Sequence, residues 1–318
     1  MDDDDDDWSL RSIFDGEDDE TPRSPREAAG ARPGRRSADA AIHAQIAGAS
    51  IMAEADAALA RLDEKLSAGG FSEGLVERIA TAEAEALGRL MGWRGRDGDS
   101  ALRFRYEAAL EDEDDAWTRW AGRTLAAPFI DIAATTDADE LTERLRGSGW
   151  RRMDALEAAD AISDGAPVTG PDRGERDQLA DWLARIRPFG DFGPTARGAM
   201  SFQAWELGGA GGLTGRLTGA VASMRLGAGA SLRTLRFTPV AAAARRLRPF
   251  DAGLDAAERL TRWCCAVTES CRTYAALVED LMAWRTTAFD VERTRTGRGI
   301  VDLLLRKPQA MSEDVAKE

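Results

Sequence analysis

The stretch AWELGGAGGLTGRLTGAVASMRLGAG, Ala204–Gly229, decides how this chain is read. Gly208, Gly209, Gly211 and Gly212 interrupt two apolar stretches of helical character, and Arg216 follows them closely. Two physical readings fit. A glycine-rich loop that opens onto a helix can hold a phosphate with backbone N–H groups and the helix dipole. The same glycines can also form an ordinary turn between helices, where a left-handed backbone is needed. Both readings predict helix, loop, helix.

Outward from this stretch the pattern stays helical. Leu, Ala and Arg dominate the 318 residues and β-branched residues are scattered, which favours helix over strand. From Ala38 to Leu66 the residues Ile42, Ile46, Ala49, Met52, Ala55, Leu59, Leu62 and Leu66 recur every three or four positions, and Gly69–Gly70 stops the run. Ser72 can cap a second helix with Leu75, Ile79, Ala82, Ala86 and Leu90 as its stripe. Ser100 can cap a third, which carries the acidic run Glu111–Asp115. Contiguous acids point around a helix and read as a solvated face. Short helices are predicted over Ala138–Arg146, Met153–Ile162 and Glu175–Ile186. A long one is predicted from Leu254 to about Arg293. In that last helix Leu260, Cys264, Val267, Cys271, Tyr274, Val278 and Leu281 alternate steps of four and three, a seam that can pack within the chain or form a homodimer. The fold class is therefore all-α.

Charge is placed unevenly. The first twenty residues hold eleven acids and one base, a charge of −10, which leaves −4 of the total −14 to the other 298 residues. Residues 1–37 read as a disordered acidic tail and linker. Trp8, Leu10, Ile13 and Phe14 lie in the acidic run; such a segment either solubilises the chain or binds a protein partner. Cys264, Cys265 and Cys271 have no CxxC spacing, the one histidine is His43, and no apolar run approaches about 20 residues. Core thiols, a cytoplasmic location, no membrane span, and no metal or other cofactor are expected.

Trp205–Leu217, WELGGAGGLTGRL, resembles in register the signature of the Fic family, His-Pro-Phe-x-(Asp/Glu)-Gly-Asn-Gly-Arg-x-Gly-Arg-Leu. The resemblance implies an all-α fold in which the histidine is the base for a target hydroxyl, the acid holds magnesium and the glycines cradle phosphates. Gly212, Gly215, Arg216 and Leu217 match. Trp205 stands in the place of the base, Gly209 of the metal-binding acid, Gly211 of the asparagine and Leu213 of the first arginine. An indole cannot accept a proton and glycine cannot ligate magnesium. What the resemblance leaves is a residual phosphate site at Gly211, Gly212, Gly215 and Arg216. The inhibitory glutamate of Fic proteins would fall at Leu87.

Two further stretches, Ala53–Leu90 and Ser270–Glu318, resemble a group of bacterial, often plasmid-borne, Fic-related proteins that end in a DNA-binding helix-turn-helix. From the residues alone, GIVDLLLRKPQAMSEDVAKE carries an apolar helix, a proline turn and Ser312 as a cap. The expected organisation is a Fic-like body over 38–297 and a truncated winged helix-turn-helix stub over 298–318. The resemblance implies a non-catalytic interaction or regulatory protein. The alternative is a nucleotidyl-transferring (AMPylating) enzyme with a displaced site, for which Glu206 is the one acid inside the motif.

Overall fold

The computed structural model describes residues 33–68, 72–90, 113–127, 173–208, 212–229 and 232–306. Among them the regular structure is helical throughout: α1 (Pro33–Ala68), α2 (Ser72–Leu90), α3 (Glu113–Ala126), α4 (Arg173–Ile186), a 3-10 turn (Arg187–Asp191), α5 (Pro194–Leu207), α6 (Gly212–Ala228), α7 (Ala241–Leu247), α8 (Ala256–Val291) and α9 (Arg295–Arg306). The all-α expectation holds. Cα packing divides the chain into Met1–Ala47 and Gly48–Glu318. Of the first unit only the helical backbone from Pro33 is described. That helix starts four residues before the expected linker boundary at Ser37, with a proline in its first position, where a fixed φ suits a helix and no N–H is needed. The acidic tail through Arg32, Ser100, the helices expected over 138–146 and 153–162, and Ser312 lie outside the described residues.

The second unit is built on one core. Leu59, Leu62 and Leu66 of α1 and Leu75, Ile79 and Leu87 of α2 are fully buried with Leu125 of α3, Phe202 of α5, Val221 and Met224 of α6, and Trp263 and Val267 of α8. Each large apolar side chain so buried contributes about 1.5–3 kcal/mol. Phe202, Phe250 and Trp263 form its aromatic centre, with Phe202 edge-on to Phe250 at 5.2 Å and Phe250 edge-on to Trp263 at 5.4 Å. The four-and-three seam of α8 is filled by this same chain: Cys264, Val267, Cys271, Tyr274 and Val278 are buried in the core, and Leu260 and Leu281 pack against it. Any homodimer through this helix is left with the part beyond Val278, where Trp284 and Val291 are exposed. α9 joins the same core through Leu305. Its first turn is capped by Thr294, whose hydroxyl accepts from the Gly297 N–H at 3.0 Å.

Buried charges fasten the helix ends. Each α-helix leaves four N–H groups free at its start and four carbonyls at its end, and buried ones need partners. Glu83 of α2, 0% exposed, accepts from the N–H groups of Val240, Ala241 and Ala242 at 2.8, 2.7 and 3.0 Å, and the Ser270 hydroxyl takes that of Ala243. All four free donors of α7 are thereby met. Asp56 of α1 accepts from Thr195 N–H in the first turn of α5, and Asp63 accepts from three successive amides, Arg233, Thr234 and Leu235. At the other polarity, Arg225 and Arg236 donate to the carbonyls of Leu125, Ala126 and Ala127 at the end of α3, and Arg78 donates to those of Leu304 and Leu305 in α9. Acids at helix starts and arginines at helix ends also match the sign of the helix dipole. Burial, with Arg236 beside it, lowers the Arg225 guanidinium to about 10, so it is still charged at neutral pH.

Candidate functional site

The site to test is the α5–α6 hairpin, which contains the glycine stretch. α5 begins at Pro194 and ends at Leu207, capped by Gly208, whose N–H bonds back to the carbonyls of Ala204 and Trp205. α6 opens at Gly212 and contains Gly215, Gly219 and Gly227 as well. Glycine inside a helix costs about 1 kcal/mol relative to alanine, so Gly219 and Gly227 in its interior need a compensating contact.

The contact is close helix packing. A β-carbon on Gly219 would lie 2.5 Å from Nε1 of Trp205, inside the indole ring's contact radius. One turn further along, Ser223 faces α5 at Gly198, where a β-carbon would lie 3.2 Å from the Ser223 carbonyl and 3.4 Å from the Trp263 indole. One more turn brings Gly227, where a β-carbon would lie 3.0 Å from the Pro194 carbonyl and run into the Thr238 hydroxyl. Thr238 lies there because both its N–H and its hydroxyl donate to the Met224 carbonyl, at 2.9 and 3.0 Å. Residues 215, 219, 223 and 227 recur every four positions, and so form one ridge of the helix. Small side chains along it let α5 approach closely.

Trp205 is a wedge in this joint. It is 8% exposed and meets Trp182 of α4 edge-on at 5.3 Å and 81°. Trp182 in turn donates from Nε1 to the Ser201 carbonyl at 2.9 Å. With Leu179, Leu183, Ile186, Ala204, Ala222 and Leu226 the two indoles form a second, smaller core.

Glu206 and Arg216 are brought together. Arg216 donates from Nε to Glu206 Oε1 at 3.0 Å and from Nη2 to Oε2 at 3.4 Å, and also donates to the Phe250 carbonyl. Arg259 of α8, 2% exposed along its side chain, places Nη2 3.6 Å from Glu206 Oε2. It donates to Gln203 Oε1 and to the carbonyls of Pro249 and Asp251. Two guanidiniums and one carboxylate thus tie α5, α6, α8 and the turn at 249–251 together. Burial lowers the Arg259 pKa, opposed by the Glu206 charge.

Comparison with protein-family models, with curated proteins and with solved structures finds no match. The chemistry of the hairpin is therefore judged on its own residues. The indole of Trp205 offers no basic lone pair. Glu206 is held by two guanidiniums, so the one acid of the motif does not fit the task of holding magnesium. Arg216, expected to contact phosphate, directs its Nε and Nη2 donors to Glu206 and Phe250. Gly212 starts α6 and Gly215 lies half-buried in its first turn. Gly209, Gly211 and the side chains of Leu213 and His43 lie outside the described residues. Leu87 is fully buried in the core.

The thiols are placed as core groups. Cys264 and Cys271 are buried and Cys265 is half-buried. Burial pushes all three up, Cys264 to about 12, which leaves almost no thiolate at neutral pH.

Sequence reasoning missed Asp56, Asp63, Glu83, Arg225 and Arg259. A signal for one of them was present. Glu83 sits four residues from Ile79 and four from Leu87, on the buried line of α2, where a charge needs a dedicated partner.

Proposed function

We propose that this chain is a non-catalytic Fic-like protein that acts through interaction or regulation, its glycine stretch kept as a helix–helix joint. The observation that carries the proposal is Trp205: at the position of the base stands a buried indole, wedged on Gly219 and Trp182. The Glu206–Arg216–Arg259 cluster supports it, because the acid a displaced site needs is neutralised by two arginines. The protein is read as cytoplasmic, with the DNA-binding helix-turn-helix group as its relatives and the acidic segment around Trp8, Leu10, Ile13 and Phe14 as its contact to a protein partner. No described helix is long and apolar enough to cross a membrane.

Incubation with labelled ATP, magnesium and lysate proteins is expected to leave no protein-bound label. Magnesium-dependent labelling that disappears in Glu206→Ala would establish the enzyme reading instead.

The fate of the residual phosphate site is read by calorimetry with pyrophosphate. With Arg216 bonded to Glu206, the unaltered protein is expected to give no heat up to millimolar ligand. Saturable binding lost in Arg216→Ala would show that the loop still competes for the guanidinium.

DNA is expected to bind weakly and without sequence preference. Arg295 and Arg298 are exposed at the start of α9 and can meet phosphates, contacts that carry no sequence information. Fluorescence anisotropy against random and genomic duplexes is expected to show binding at low salt that vanishes at physiological salt. A sequence-selective complex that persists at physiological salt contradicts this.

A further inference from the structure

No further inference is drawn: the strongest candidate, the exposed face on the last third of α8 marked by Trp284 and Val291, is an unpartnered helix face with nothing in the structure to say what covers it.

Discussion

Replacing Glu83 with alanine is expected to cost about 4 kcal/mol of stability. The estimate follows from the donors left behind. Three amides at the start of α7 and the Tyr274 hydroxyl, 2.8 Å from Oε1, would lose their acceptor, with the bonds of Val240, Ala241 and Tyr274 fully buried. Each orphaned buried donor costs about 1–3 kcal/mol, and partial relaxation of α7 recovers some of the sum. Glu83→Gln retains one acceptor oxygen but turns an NH₂ toward an amide donor, so about half the loss is expected. The pH dependence has a definite sign. Burial pushes the Glu83 carboxyl up, against the pull of the three amides and the tyrosine. A group whose pKa is higher folded than unfolded binds more protons in the folded state, so its contribution is full below the unfolded value and falls as pH rises through the folded one. The stability gap between the unaltered protein and Glu83→Gln should therefore widen as pH is lowered from 7 toward 5. Urea unfolding followed by helical circular dichroism reads both effects. A loss under 1 kcal/mol for Glu83→Ala would mean that α7 is not held from α2.

Gly219→Ala is expected to destabilise by about 2–3 kcal/mol, although alanine is the better helix former. In a helix that merely follows a loop, the substitution gains about 1 kcal/mol from propensity. Here the added methyl meets the Trp205 ring, which is backed by Trp182 and has nowhere to go. Overpacking a filled interface costs about 1–3 kcal/mol and more when the obstacle is rigid. The sign of the change thus separates a packing glycine from an incidental one. Gly253, which has φ +80 and open space around it, is a different case: alanine there is strained by backbone conformation rather than by a neighbour.

The helical elements were legible because apolar residues repeat at three and four. α2 and α8 begin and end within two residues of the spans read from that spacing. The α8 seam was legible as a seam, but its occupant was not, since a 3.5-residue period states only that one face is covered. The glycine stretch was read through its loop, which drew attention to Gly211 and Gly212. The four-residue spacing of Gly215, Gly219, Ser223 and Gly227 was also in the sequence. It carries packing information only once Trp205, Gly198 and Thr238 are known to lie opposite, and those partners come from tertiary structure. Asp63 shows the same limit. Its acceptors are matched by the amides of residues 233–235, some 170 positions away, and no local pattern announces them. Arg216 was visible as a cation next to a glycine loop; that it turns to Glu206, ten residues back, depends on the close approach of the two helices.

The central claim is that Gly219 exists to admit Trp205 rather than to bind a ligand, and a double-mutant cycle between positions 205 and 219 tests it most directly. Urea unfolding is measured for the unaltered protein, Gly219→Ala, Trp205→Leu and the double variant. Leucine at 205 removes the ring that the alanine methyl would strike. The loss from Gly219→Ala is therefore predicted to vanish or reverse in that background, giving a coupling of at least about 2 kcal/mol. The same effect of Gly219→Ala in both backgrounds, with a coupling near zero, would contradict the account.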